Sequence, residues 1–230
     1  MKRDLPIPFM PAMIRALLAE RKTKTRRVVD QSAFRDGPDG VEVWTGFMGW
    51  QTFEWAKANR GACGKGTLPP HVGVDLLWVR EAWRTLHAND CLAPRHLAED
   101  RRKITYEADP ENRNPLWAFG RLRAGMHMPR WASRLTLIIT DVRVERLQDI
   151  SEADAIAEGC SPVGQEFLIP GHYLYTDPSK ARTARTAVSA FQSLWNCLND
   201  ERGYGWDANP WVAATTFEVV HGNIDEIGDA

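Results

Sequence analysis

Between Leu135 and Val144 the apolar residues change parity. Leu135, Leu137 and Ile139 share one parity, and Val142 and Val144 continue on the other. Successive strand residues point to opposite faces of a sheet. A strand whose apolar set switches parity therefore carries a bulge or turns a barrel corner at the switch, here near Thr140–Asp141. The other periodic stretches are few. Met10, Met13, Ile14, Leu17 and Leu18 follow one helical stripe and predict a helix over 9–20, with Pro11 in its first turn. Residues 74–83 read as a strand, 104–107 as a short one and 211–220 as the last. Ser151, with Asp154 three residues on, predicts the capped start of a short helix that Gly159 ends. Ala184, Ala187, Val188, Phe191, Leu194, Trp195 and Leu198 predict an amphipathic helix over 183–198. Residues 36–73, rich in Gly, Pro and Trp, read as a long excursion with one short strand near Val41–Thr45. Few, long, bent strands interspersed with helices predict an α+β fold. The expected architecture is a single domain over 1–230, a mixed or antiparallel β-barrel with packed helices and a long insertion at about 36–73.

A chain of 230 residues is long enough to bury its own core without staples. Cys63, Cys91, Cys160 and Cys197 are far apart and have neither metal-clip spacing nor a disulfide framework, which predicts a reducing, cytoplasmic setting with no structural metal. No apolar run is long enough to span a bilayer, so no membrane partner is expected, and the N-terminus lacks the apolar stretch of a signal peptide. Gly-x-Ser-x-Gly, phosphate-loop, His-Glu-x-x-His and dinucleotide fingerprints are missing, and no cofactor is expected. The net charge of −1 conceals two basic segments. Residues 15–27 carry six cations against Glu20, and residues 121–146 carry six arginines against Asp141 and Glu145. On an otherwise acidic chain these suggest an anionic ligand; two solvated faces are the plain alternative.

Lys22 and Thr25 stand three residues apart and would lie side by side in a helical turn. A partly desolvated lysine with Arg21, Lys24 and Arg26 nearby loses basicity and can take a proton from a hydroxyl or from water, with Thr25 as nucleophile or water-holder. No local rule makes such a pair catalytic, and a solvated, inert basic stretch is the alternative. Glu158 falls at the end of the short helix, where a carboxylate is disfavoured and needs a cation such as Lys22. Glu152 and Asp154 are equally eligible by spacing. Trp78, Arg80, Glu81 and Trp83 make a dense aromatic–polar strand that would stack on a base and hold its polar edges, or else supply core indoles and an Arg–Glu salt link. Arg130 and Trp131, in the run that ends at Arg134, carry the same two readings.

Taken together, these segments resemble a family. Glu20-Arg21-Lys22-Thr23-Lys24-Thr25-Arg26-Arg27, after an N-terminal helix, is similar to the Gly-Arg-Lys-Thr-x-Thr-x-Arg signature of ASCH-domain proteins. Leu77-Trp78-Val79-Arg80-Glu81-Ala82-Trp83, Met128–Arg134, Val144–Ser151 and Asn209-Pro210-Trp211-Val212 resemble further segments of the longer, often phage-associated members. Glu20 stands where the signature has Gly, and Arg26 where it has an apolar residue. The resemblance implies a PUA-like barrel that takes a modified nucleoside, RNA or DNA. It also implies kinship with bacterial N(4)-acetylcytidine amidohydrolases, whose Lys, Thr and Glu triad would fall on Lys22, Thr25 and Glu158. The substrate-binding set would be Arg21, Arg26, Trp78, Arg80, Glu81, Trp83, Arg130 and Trp131. The alternatives are a non-catalytic RNA- or DNA-binding module of a prophage, or a ribonuclease.

Overall fold

The computed structural model describes residues 2–46, 48–64, 66–97, 99–109, 119–160, 162–163, 174–176 and 183–227. From the N-terminus run β1 (Asp4–Pro8), α1 (Pro11–Leu18), β2 (Lys24–Val28), β3 (Phe34–Gly37), β4 (Gly40–Trp44), β5 (Trp50–Thr52) and α2 (Phe53–Ala58). Next come β6 (Leu76–Arg80), β7 (Trp83–Thr85), β8 (Ile104–Tyr106), β9 (Leu135–Arg146) and α3 (Glu152–Ala157). The chain continues with β10 (Pro162–Val163), β11 (Leu174–Thr176), β12 (Thr183–Ala184), α4 (Ala187–Asn199), β13 (Trp211–His221) and α5 (Ile224–Ile227). The fold is α+β, and its main sheet is mixed, with strand order β1-β6-β9-β13-β2. Two compact units form, one from residues 1–20, 75–139 and 218–230, the other from 21–74 and 140–217. The strands β9 and β13 each contribute residues to both.

In the first unit β1 runs parallel to β6, with Pro6 opposite Trp78, and β6 runs antiparallel to β9, with Leu77 opposite Leu137. Trp83, Leu97, Met128 and Ala132 form one buried cluster, flanked by Ile104, Tyr106 and Trp131. Leu76, Trp78 and Ile224 form a second, against Ile138. The strand expected over 74–83 is two strands, because the ladder breaks at Glu81 and Ala82. Trp83 then pairs with Arg123 through N–H···O bonds of 3.1 and 2.8 Å. The predicted N-terminal helix is α1, whose Met13, Ile14, Ala16 and Leu17 are buried. It ends with Glu20 in the left-handed region at φ 54°, its N–H donating to the Leu17 carbonyl at 2.9 Å.

In the second unit β13 and β2 pair antiparallel, with Thr215 opposite Thr25 and Ala214 opposite Arg26. The excursion is more ordered than its composition suggests. β3, β4 and β5 make a three-stranded sheet, α2 packs beside it, and Phe34, Val43, Phe53 and Ala56 are buried. Strands of three to five residues are too short for period-2 alternation to register. The parity change in β9 is present: Leu135 and Leu137 are buried at its start, Val142 and Val144 further on. α3 begins at the expected cap, with Asp154 N–H donating to Ser151 Oγ at 3.1 Å, and Gly159, at φ 103°, closes it. α4 starts at Ala187, later than the apolar stripe implied, because Thr186 and Ser189 form a capping box there and Thr183–Ala184 belong to β12.

The left-handed position that ends α1 is one that glycine occupies without a Cβ penalty. Glu20→Gly is expected to raise the unfolding free energy by about 1 kcal/mol, measured by urea denaturation; no change or a loss would show that the Glu20 side chain offsets the strain.

Candidate functional site

The second unit brings Lys22 and Glu158 together. Glu158 is the C-terminal cap residue of α3, fixed by its own N–H to the Asp154 carbonyl (2.9 Å) and by the turn at Gly159. A helix end exposes carbonyls and repels a carboxylate. Lys22 answers both problems. Its Nζ donates to the Glu158 carboxylate at 2.7 Å and to the Glu158 main-chain carbonyl at 2.9 Å. The neighbouring Thr23 N–H satisfies the Ala157 carbonyl at 2.8 Å, so two residues of the basic segment cap α3. The Lys22 side chain has no exposed surface and that of Glu158 only 4%. Burial pulls the Lys22 pKa below the usual lysine value; the Glu158 charge and hydrogen bond oppose the shift, and the Arg27 charge adds to it.

Arg26 closes the other side of Glu158. Its guanidinium donates to Glu158 Oε1 at 3.3 Å, to Glu145 Oε1 at 2.6 and 3.0 Å, and to Asp154 Oδ2 at 3.1 Å. Burial works against its charge, but Glu158, Glu145 and Asp154 outweigh burial and raise its pKa. Lys24 pairs with Asp154. Burial opposes the Asp154 charge, and the pull of Lys24 and Arg26 overcomes it, so the carboxyl is held below the usual range. Much of the basic surplus in both segments is matched by acids of this chain. In the first unit Arg134 holds Glu81 (2.8 Å) and Asp109 (2.7 Å), while Arg130 pairs with Asp4 and, at 2.8 Å, with Asp225.

Thr25 lies on a strand and not in a helical turn, which corrects the side-by-side geometry expected for Lys22 and Thr25. The segment extends because it pairs with β13. Strand alternation sends Lys24 and Arg26 to the face that meets Asp154 and Glu145, and Thr25 to the other face. There its cross-strand neighbour Thr215 is bonded to His71, with Nδ1 and Oγ1 2.9 Å apart. Thr25, Thr215 and His71 are all buried. Burial, reinforced by the Arg27 charge, lowers the His71 pKa to about 4. The Arg27 charge is thus felt by both Lys22 and His71, which ties the two sets of groups electrostatically. His71 is a lone histidine in a turn-rich stretch, and no periodicity or motif marks it in the sequence.

The remaining candidates belong to the first unit, apart from Arg21, which is an exposed residue of the second. Trp83 has no exposed surface and Trp78 only 6%, so both indoles are core. The Arg80 guanidinium lies 4.4 Å from the Trp78 ring centroid and donates to the Met126 carbonyl at 3.1 Å. Glu81 is buried and makes the salt link, bidentate to Arg134; burial still raises its pKa, with Arg134 offsetting part of the shift. Trp131 packs against the Trp83 cluster, and its carbonyl accepts from Arg101 at 2.8 Å. Of the two readings of these residues, the core-and-salt-link one describes their contacts.

Among the described residues no group of three or more His, Cys, Asp or Glu side chains is arranged to hold a metal ion, and no helix is long and apolar enough to cross a membrane. In comparisons with known proteins, the chain matches no family model, no curated protein and no solved structure.

Removing one partner of a buried pair leaves an uncompensated charge. Glu158→Ala is expected to cost about 3–5 kcal/mol of stability by chemical denaturation, and Glu158→Gln less, because the amide oxygen still accepts. His71 gives a pH signature. Its folded pKa is about 4, against 6.5 for the unperturbed ring, so between these values the unfolded chain binds more protons. The stability it contributes is full above pH 6.5 and declines, by up to about 3 kcal/mol, as pH falls to 4. Unfolding curves at pH 7 and 4.5 should therefore differ more for the wild type than for His71→Gln.

Proposed function

We propose that this protein is an ASCH-type, PUA-like amidohydrolase that removes the acyl group from an N(4)-acylated cytidine-type nucleoside. The observation that carries the reading is the Lys22–Glu158 pair, an ammonium with no exposed surface whose pKa is lowered by burial, anchored at 2.7 Å to a carboxylate far away in sequence. A second observation supports the resemblance itself. Glu20, at the position where the ASCH signature has Gly, adopts the left-handed backbone that glycine favours.

This reading requires the Thr25 hydroxyl, or a water that it holds, to come within reach of Lys22 Nζ, which in its neutral form then takes the proton. The oxygen attacks the acyl carbonyl, the proton passes to the departing N4 amine, and water supplies the hydroxyl of the released carboxylic acid. Glu158 keeps Lys22 oriented and stabilises the ammonium once it has formed. Arg26 holds Glu158 in turn. A cytoplasmic setting and a prophage origin belong to the same reading.

The test is incubation with N(4)-acetylcytidine. The wild type is expected to release cytidine and acetate, and Lys22→Ala to lose at least about 100-fold in kcat. Because Lys22→Ala also removes the cap of α3, Thr25→Val with an unchanged melting temperature serves as the second variant and should show a comparable loss. The neutral lysine is the working form, so kcat should rise with pH through an ionisation below 10.5. Equal turnover by wild type and Lys22→Ala, or none by the wild type, removes the reading.

A further inference from the structure

Among the described residues two arginines are buried, Arg26 at 5% exposure and Arg123 at 6%. Arg26 meets three carboxylates. Arg123 makes no ion pair among the described residues. Its guanidinium donates to the main-chain carbonyls of Leu92 (3.1 Å) and Asn89 (2.8 Å) and lies 5.6 Å from the Trp83 ring centroid. Its buried Nε has no hydrogen-bond partner. Carbonyl dipoles and a ring face replace only part of the hydration that a guanidinium loses on burial. Burial, and after it the charge of Arg121, lower the Arg123 pKa, and Asp90 and Cys91 offset part of the shift. The Asp90 carboxylate is committed elsewhere. It accepts from the Arg121 main-chain N–H at 3.0 and 3.2 Å and lies 3.0 Å from His87 Nδ1. The Arg121 side chain is exposed and makes no hydrogen bond or ion pair among the described residues.

Both arginines line one cleft of about 440 Å³, together with Pro94, Leu122 and His127. That volume is within the range of small-molecule sites. Two short 3-10 turns, Pro94–His96 and Gly125–His127, supply Pro94 and His127, and the bridge between Trp83 and Arg123 anchors the stretch that carries both arginines. We propose that this cleft binds a phosphate monoester. The exposed Arg121 and His127 donate to the phosphate oxygens, Arg123 supplies a fixed buried charge, and Pro94 and Leu122 cover the apolar part of the ester. A phosphomonoester carries a charge of about −1.5 to −2 at pH 7, which two guanidiniums balance and a carboxylate would match only in part. A bound dianion also relieves the repulsion between Arg121 and Arg123 and gives Arg123 a counter-charge that no carboxylate in contact with it provides. The lining residues belong to the first unit and Lys22, Thr25 and Glu158 to the second, so the proposal does not rest on the hydrolase reading.

Titration calorimetry on the full chain tests this, with cytidine 5′-monophosphate, glucose 6-phosphate, cytidine and benzoate as probes. Both phosphate esters are expected to bind at least about 10-fold more tightly than cytidine or benzoate. Arg121→Ala should weaken both esters about 10-fold with an unchanged melting temperature. Arg121→Lys, which keeps the charge and loses the planar fork, should weaken them less. Arg123→Gln should weaken them too; should it fail to fold, the two Arg121 variants carry the test alone. Equal affinity for the two esters assigns recognition to the phosphate, and a preference between them identifies the body it carries; either result supports the proposal. Ester binding untouched by Arg121→Ala, no ester binding by the wild type, or benzoate bound as tightly as the esters overturns it. None of these results depends on turnover of N(4)-acetylcytidine, which tests the hydrolase reading separately.

Discussion

A carboxylate at the C-terminal end of a helix is in the wrong place, and the second unit is organised around correcting that. The field of the helix end costs Glu158 about 0.3–1 kcal/mol, while leaving a buried carboxylate unpaired costs several kcal/mol, so the second effect decides the arrangement. Lys22 and Arg26 both reach Glu158, from alternate positions of one segment that extends beside β13. That alternation is a strand property. The same network draws in Glu145 from β9 and Asp154 from α3, so one basic segment is joined to two further elements by charge.

The first consequence is for the charge distribution. Two basic segments on an acidic chain look like a phosphate-binding surface when only their composition is known. In the folded chain Lys22, Lys24, Arg26, Arg130 and Arg134 each pair with carboxylates, several of them buried. A cation already held by two carboxylates has less potential to offer a phosphate than an exposed one. The asymmetry along the sequence thus records which segments meet inside the molecule more than it records an external partner. Arg15, Arg21 and Arg27 are the cations of the first segment that are exposed.

What could be read beforehand follows the range of the interaction involved. Local signals served well: the stripe of α1, the Ser151 cap, the Gly159 stop and the parity switch in β9 depend on residues a few positions apart, and all are present. Long-range pairing was not legible. Arg26 meets Glu145 across 119 positions and Asp154 across 128, and no periodicity encodes such a meeting. The Lys22–Glu158 pair was accessible only because a helix-end carboxylate demands a cation and a family resemblance suggested which one. Trp78 and Trp83 stood open between core and binding platform because an indole suits both, and tertiary burial made them core. The short strands β3 and β5 and the residue His71 lay in a stretch with too little repetition to carry a signal.

A buried ion network is not what stability alone would select. Well-packed apolar side chains in place of a whole buried ion network are often equally stable or more so, since each ion forfeits hydration that its partners restore only in part. The same burial that makes the network expensive lowers the Lys22 pKa and sets the His71 ring to titrate near pH 4. Both groups are thereby brought closer to neutrality without leaving their hydrogen bonds. An amine of lowered basicity and a neutral imidazole, both within the field of the Arg27 guanidinium, are the groups that this burial brings about. The proposed proton chemistry at Thr25 would draw on that environment, whereas an apolar core in the same place would be stable and inert.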